Sequence, residues 1–152
     1  MPACRREEMM SCILRVGGAN LSLGELLQVE LTPDSTWEKG APKLSTRVTG
    51  PVSKTSGARY VVSDADFDEF EEQKSDAVAF LGEYQMEIRE IVGLAGVDGA
   101  DLDFGVYRKD VLAQSENFPP ELVRLAGGLG LGLEISLYEP CEDDKRDGSE
   151  PD

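Results

Sequence analysis

Carboxylates are the only abundant side chains in this sequence that could carry acid–base chemistry. The chain has 30 aspartates and glutamates and no histidine, the residue that most often transfers protons near neutral pH. Two carboxylates act as acid and base only where their surroundings differ, and 30 of them would form pairs in any fold. Cys12, a candidate nucleophile, has no imidazole to activate it. The sequence identifies no catalytic residue and favours a protein that is not an enzyme, without deciding the question.

Metal and cofactor sites have no better support in the sequence. The thiols are Cys4, Cys12 and Cys141, scattered along the chain. Without an imidazole beside them, they do not assemble a four-ligand transition-metal site. Asp98, Asp101 and Asp103 lack the spacing of a calcium loop. The glycines of 127–132 follow a predicted helix, whereas a dinucleotide fingerprint follows a strand. We predict no metal and no cofactor.

Trp37 is the only tryptophan, and its polar turn allows two interpretations. Tryptophan is enriched at the centres of binding sites, so the side chain could anchor a partner. Alternatively, the ring fixes the loop to the sheet while Gly40 supplies a positive φ angle. A ligand site at this position would require a polar pocket lined by Trp37, Lys39, Arg15 and Tyr60.

Acidic residues concentrate between positions 64 and 76. They are Asp64, Asp66, Asp68, Glu69, Glu71, Glu72 and Asp76, against the single cation Lys74. A solvated helix surface is the ordinary interpretation of such a run. The alternative is a docking surface for a basic protein, because complementary charge raises the association rate. Asp68, Glu69 and Glu72 are the binding residues that this alternative predicts.

The charge of the whole chain limits its partners. The formal net charge of -15 repels nucleic-acid phosphates and anionic membranes, and no basic stripe is present to release counterions. No apolar run has the length of a bilayer span, and the charged residues 1–8 do not lead into the apolar segment of a secretory signal. The odd number of cysteines does not indicate a disulfide framework. We expect reduced thiols, a cytoplasmic location, and neither nucleic acid nor membrane as a partner. The oligomeric state is left open.

Hydrophobic periodicity predicts an α+β fold with the element order βαββα(α)βαβ. The predicted strands are 12–16, 43–49, 59–62, 102–107 and 131–138. Helices are predicted after Ser22, after Ser63 and over Glu121–Ala126, from two capping signals and from the prolines 119–120. The second helix carries an apolar stripe and should bend or break at Gly82. Its stripe consists of Phe67, Phe70, Ala77, Leu81, Tyr84, Ile88 and Ile91.

This order predicts a mainly antiparallel sheet with the helices on one face, related to the ferredoxin-like fold. The single domain should span 9–139. We predict a disordered N-terminal tail over residues 1–8 and a disordered acidic C-terminal tail over 140–152, since neither can bury enough apolar surface to order.

Three motifs mark the chain: Leu14-Arg15-Val16-Gly17-Gly18, the turn from Pro33 to Trp37-Glu38-Lys39-Gly40, and Leu133-Glu134-Ile135-Ser136-Leu137-Tyr138. This pattern, LR(I/V)xG followed by P…WxKG and LxISLY, resembles a bacterial family catalogued only as a domain of unknown function. The resemblance covers residues 12–138. It departs from the family pattern at Tyr60, where tryptophan is usual, and in the proline-free helix break near Tyr84. It implies a cytosolic bacterial α+β domain and implies no activity.

Two functions therefore stay open. The first is a non-enzymatic, acidic protein-binding module that docks a basic protein. By fold-level analogy, it would be an immunity or inhibitor-type protein. The second is a small-ligand-binding domain or enzyme that uses the sheet face and the Trp37 loop.

Overall fold

The computed structural model describes residues 10–42 and 51–140. Within these residues, five strands and four helices follow one another along the chain. The strands are β1 (Cys12–Gly18), β2 (Ser35–Trp37), β3 (Ser56–Ser63), β4 (Gly99–Tyr107) and β5 (Gly132–Tyr138). The helices are α1 (Leu23–Leu26), α2 (Phe70–Glu83), α3 (Gln85–Val92) and α4 (Pro120–Gly128). The predicted α+β class is confirmed.

Three predicted segments fall outside this part of the chain. The N-terminal tail 1–8 and the strand 43–49 are not among the described residues, and of the C-terminal tail 140–152 only Pro140 is. In the described ranges, no helix is both long enough and apolar enough to cross a bilayer.

All five strands form one sheet in the order β2-β3-β1-β4-β5. Every neighbouring pair is antiparallel except β4 and β5, which are parallel. β3 therefore lies between β1 and β2, which are joined through α1. β1 in turn lies between β3 and β4, and α4 provides the crossover that the parallel pair requires. The mainly antiparallel sheet is confirmed, whereas the relation to ferredoxin-like folds stays a prediction.

The alternation of side chains along β1 separates the sheet into two faces. Cys12, Leu14 and Val16 are fully buried, whereas Ile13 and Arg15 between them are half-buried. The buried side faces the helices, and we call it the covered face; the opposite side is the open face. The covered face continues with Ala58, Tyr60 and Val62 of β3 and with Leu102, Phe104 and Val106 of β4. Helix side chains complete the core, chiefly Leu26, Phe70, Ala77, Leu81, Ile88, Ile91, Leu122 and Ala126.

The long helix begins at Phe70, later than the predicted start after Ser63. The Ser63 hydroxyl accepts a hydrogen bond from the Ala65 backbone N–H at 3.2 Å and donates to Asp76 Oδ2 at 2.7 Å. The Asp66 backbone N–H donates to Glu69 Oε1 at 2.9 Å. Residues 64–69 are thus a hydrogen-bonded turn, because these side chains satisfy backbone groups that a helix would otherwise pair.

Phe67 is the one member of the predicted stripe that leaves the core. Its ring stacks on Tyr138, with centroids 4.7 Å apart, and lies edge-on to Tyr107 at 5.4 Å. Both tyrosines alternate with core residues along their strands, so this aromatic cluster lies on the open face. Gly105 leaves room for it, since a Cβ there would lie 2.9 Å from Phe67 Cε1. The stripe from Phe70 to Ile91 faces the core as predicted.

The predicted break in the helix exists, but it falls at Tyr84 and not at Gly82. Tyr84 has φ -107° and ψ 26°, outside the helical region, and it separates α2 from α3. Gly82 lies within α2, and a Cβ built there would meet no neighbouring atom within 4 Å outside the local helix backbone.

β2 occupies a position that the sequence did not predict as a strand. Its three residues pair with Gly57, Ala58 and Arg59 of β3. Asp34 fixes its start, because its backbone N–H donates to the Arg59 carbonyl at 2.8 Å and its Oδ2 accepts from the Val61 N–H at 2.6 Å. The hydrogen bonds of Asp34 thus help to hold the short strand β2 against β3.

Candidate functional site

Arg15 is the centre of the charged part of the open face. Its Nη2 donates to Asp103 Oδ2 at 2.9 Å. Its Nη1 lies 3.5 Å from Glu134 Oε2 and 3.9 Å from Asp101 Oδ1. Ser136 Oγ donates to Asp103 Oδ1 at 2.7 Å, which further fixes that carboxylate. The Arg15 side chain therefore uses its donors mainly within the protein, across β1, β4 and β5.

Asp101 is the least satisfied carboxylate of this group. Its Oδ1 is buried and accepts no hydrogen bond, although it lies at ion-pair distance from Arg15. Burial raises the pKa of Asp101 above its usual value, and the nearby charges of Glu134 and Asp103 act in the same direction, while Arg15 opposes them. Three carboxylates thus surround the single guanidinium of Arg15, which neutralises only part of their negative charge.

The Trp37 ring lies across the open face and covers two glycines. Ideal Cβ atoms at Gly57 and Gly17 would lie 2.3 Å and 2.9 Å from its Cζ2, so only glycine admits the ring at this distance. The indole Nε1 donates to Thr55 Oγ1 at 2.9 Å. Gly40 has φ +89°, as the turn requires. These contacts are those of the second interpretation, in which Trp37 fixes its loop to the sheet.

Arg59 is the residue of this face that the sequence reasoning missed. Its guanidinium carbon lies 4.5 Å from the centroid of the Trp37 ring. No carboxylate in the described part of the chain lies within ion-pair distance of it. Burial, together with the adjacent charge of Arg15, lowers the pKa of Arg59. The alternation of side chains along β3 could have identified Arg59. If the predicted strand 59–62 is extended back to Gly57, residues 57 and 59 lie on the same face of the sheet as Trp37.

The four residues of the predicted ligand pocket do not meet. Arg15 and Trp37 share the open face, and Lys39 is exposed in the turn after β2, with its backbone N–H donating to Ser56 Oγ at 2.9 Å. Tyr60 points to the covered face, where it is 1% exposed. Its hydroxyl has no hydrogen-bond partner, and burial raises the pKa of Tyr60 to about 12. A single pocket lined by all four residues is therefore ruled out by the strand alternation.

The acidic run forms a second candidate surface, which we call the acidic surface: Asp64, Asp66, Asp68, Glu69, Glu72 and Asp76. The three predicted binding residues, Asp68, Glu69 and Glu72, are all exposed. The charge of Glu69 is the main cause of a raised pKa at Glu72, and loss of hydration and the charges of Asp76 and Asp64 add to it. Glu69 also has a structural role, because it accepts the Asp66 backbone N–H.

Lys74, the only cation in the acidic run, is turned away from this surface. It is 5% exposed, and its Nζ donates to the Asn117 carbonyl at 2.9 Å. Its ammonium group pairs with Glu71 at 2.6 Å and lies 4.3 Å from the centroid of the Phe70 ring. Lys74 therefore neutralises Glu71, and no other cation in the described part of the chain pairs with a carboxylate of the run.

The described residues contain one group of three carboxylates close enough to share an ion, namely Asp66, Asp68 and Glu69, whose oxygens lie within 4.8 Å of one another. Two of the three are exposed, and exposed acidic groups commonly cluster in this way without an ion. Asp98 has a different task, because its Oδ2 accepts the Ala19 backbone N–H at 2.8 Å. Cys12 is buried, and burial raises the pKa of its thiol, which keeps it protonated and unreactive.

No protein-family profile, no curated protein and no solved structure matches this chain. The resemblance to a bacterial domain family stays a prediction, and the function has to be argued from the two surfaces themselves.

Proposed function

We propose that this protein is a non-enzymatic binding module whose acidic surface docks a basic protein. The observation that carries the proposal is the clustering of carboxylates on this surface, where oxygens of Asp66, Asp68 and Glu69 lie within 4.8 Å of one another. The raised pKa of Glu72, caused chiefly by Glu69, agrees with it. A raised carboxyl pKa on an exposed helix means that the surrounding carboxylates repel one another at neutral pH. A cationic partner would relieve that repulsion, so the free surface has an electrostatic reason to bind one.

The position of Lys74 supports the same proposal. A cation placed among the carboxylates of the acidic surface would offset part of their repulsion and stabilise the helix. Instead the ammonium group is buried against Phe70 and Asn117 and pairs with Glu71, which is not part of that surface. The negative field consequently extends into solvent, where it raises the rate of encounter with a positively charged surface.

An immunity or inhibitor-type role is the specific form of this proposal. In that form, the acidic surface covers a basic substrate-binding or nucleic-acid-binding surface of a partner enzyme in the bacterial cytoplasm. Nucleic acid itself is not the proposed partner, because the net charge of -15 opposes binding to phosphates. The binding function and the inhibitory one are separable, since a partner can bind without losing activity.

The test is an association rate measured against salt and against a charge-reversed surface. The wild-type chain is immobilised, a partner is captured from the native host, and its association is followed by surface plasmon resonance. The variant carries Asp64→Lys, Asp68→Lys and Glu72→Lys; Glu69 is left intact because it holds the Asp66 backbone. The control carries Glu25→Lys, Glu30→Lys and Glu90→Lys, three exposed positions that lie on α1, after α1 and on α3 and that change the net charge equally.

We expect the association rate to fall about tenfold or more in the first variant, to change much less in the control, and to fall with salt. The inhibitory form is tested by assaying the captured partner's own activity with each variant. If the two variants associate equally slowly, only net charge matters and the acidic surface is not a docking site. A rate indifferent to salt would contradict the proposal in the same way.

A further inference from the structure

Among the residues that the structure describes, Arg59 is a cation of the open face that pairs with no carboxylate. The Arg59 guanidinium rests on the Trp37 ring, 4.5 Å from its centroid, and no described carboxylate pairs with it. A guanidinium that lies over an aromatic ring still has N–H donors at its edge that a ligand can use. The ring itself is held in place, since it lies on Gly57 and Gly17 and donates to Thr55. Arg59 is therefore a half-buried cation beside a fixed ring, with N–H donors that no described carboxylate accepts.

We infer that Arg59, on its Trp37 platform, is a binding site for the carboxylate of a small organic monoanion. A guanidinium edge matches a planar carboxylate with two parallel hydrogen bonds. The hydroxyl of Ser35, the cross-strand neighbour of Arg59 on the exposed edge strand, lies on the same face and can complete the site. This inference does not rest on the acidic surface, which involves other elements.

The surrounding charges select the class of anion. Arg15, the cross-strand neighbour of Arg59 on the other side, adds positive charge. Beyond it lie Asp101, Asp103 and Glu134, which Arg15 only partly neutralises. A dianion such as phosphate is repelled by these carboxylates and by the net charge of -15 more strongly than a monoanion is. A carboxylate monoanion can therefore pair with the Arg59 guanidinium with less repulsion from the neighbouring carboxylates than a dianion meets.

The unique tryptophan makes the test direct, because all tryptophan emission of this chain comes from Trp37. The full chain is titrated with sodium benzoate and, separately, with sodium acetate, sodium chloride and sodium phosphate at one constant ionic strength. We expect a saturable change in Trp37 emission with the two carboxylates, with none from chloride and a weaker one from phosphate. An equal response to chloride, tighter binding of phosphate, or no saturable response to either carboxylate would overturn the inference.

Variants assign the effect to Arg59. Arg59→Gln should weaken benzoate binding at least about tenfold, and Arg59→Lys should weaken it less, since lysine keeps the charge but loses the paired donors. The matched control is Arg124→Gln on α4, an exposed arginine whose loss should leave binding unchanged. Because Arg59→Gln also alters the surroundings of the fluorophore, ligand-detected NMR on the wild-type chain provides a second readout. Contacts from benzoate protons to Arg59 and Trp37 are expected, and their absence would refute the site.

Discussion

At the scale of single residues, neighbours along β3 have opposite chemistry because a strand alternates its faces. Arg59 is on the open face, where its guanidinium lies over the Trp37 ring and pairs with no carboxylate of the described residues. Tyr60, the next residue, is 1% exposed in the core, and its hydroxyl has no partner. A buried hydroxyl without a hydrogen bond costs about 1–3 kcal/mol of stability. The buried ring of Tyr60 therefore stabilises the fold by packing, whereas its hydroxyl destabilises it.

Replacing Tyr60 with phenylalanine tests this assignment. Tyr60→Phe keeps the ring and removes the unpaired hydroxyl, so we expect the free energy of unfolding to rise by about 1 kcal/mol. The pKa adds a second expectation. The folded protein holds the phenol proton up to about pH 12, whereas an unfolded tyrosine loses it near pH 10. Wild-type stability should thus fall across this interval, and the advantage of the variant should grow.

Urea unfolding of both proteins at pH 7 and across alkaline pH measures the effect of Tyr60→Phe. A loss of stability in the variant at pH 7 would show that the hydroxyl makes an interaction that stabilises the fold, and the assignment would be wrong.

At the scale of elements, the sequence predicted helices correctly where a single local feature, a cap or an apolar stripe, determines them. Ser22 caps α1 as expected, with its hydroxyl accepting the Glu25 N–H at 3.3 Å, and the stripe from Phe70 to Ile91 is buried. The start of α2 was misplaced because the Ser63 hydroxyl accepts the Ala65 N–H in a turn, while the helix begins only after Glu69, whose side chain makes no cap hydrogen bond. Packing keeps Phe67 out of the helix stripe, because its ring contacts Tyr107 and Tyr138. Sequence periodicity cannot reveal this contact between distant parts of the chain.

Of the two candidate surfaces, only the acidic surface could be predicted from the sequence. It follows from the concentration of acidic residues between positions 64 and 76. The open-face site depends on the strand register, which brings Trp37 of β2 beside Gly57 and Arg59 of β3. No local signal gives that register, because the two strands are joined by a long connection. Tyr60 was assigned to the site for its chemistry alone, although alternation places it on the opposite face from Arg59.

Glycine substitutions test how much the Trp37 platform contributes to the stability of β2 and β3. In Gly57→Ala, the new methyl group would lie 2.3 Å from Trp37 Cζ2 and 2.3 Å from the Val16 carbonyl oxygen. We expect a loss of about 1–3 kcal/mol or more in unfolding free energy, with a red shift of the Trp37 emission as the ring is displaced. Urea unfolding followed by fluorescence measures both.

Gly82→Ala is the matched control. Gly82 lies inside α2 with open space around it, so alanine there should stabilise the protein by about 0.5–1 kcal/mol and leave the emission unchanged. If both substitutions had the same small effect, Gly57 would not be required by the ring, and the platform would be incidental to the fold.

At the scale of the whole molecule, charge is distributed unevenly between the two candidate surfaces. No cation of the described residues pairs with a carboxylate of the acidic surface, whereas the open face places Arg15 and Arg59 on adjacent strands in a chain of net charge -15. On the open face, Arg15, Arg59 and Asp101 are half-buried and Asp103 is buried, so salt screens these charges less than it screens the exposed carboxylates. The two surfaces should consequently respond differently to ionic strength.

This difference predicts how the stability of the whole protein depends on salt. Repulsion among the exposed carboxylates destabilises the compact state, and screening weakens it as the Debye length falls from about 30 Å at 0.01 M to about 3 Å at 1 M salt. The Arg15 ion pairs lose less, because Asp103 is only 8% exposed. The urea midpoint should therefore rise with sodium chloride. The rise should be smaller in the variant with Asp64, Asp68 and Glu72 changed to lysine than in the control with Glu25, Glu30 and Glu90 changed. A midpoint that falls with salt would mean that the ion pairs of the open face outweigh the repulsion of the acidic surface in setting the stability of the fold.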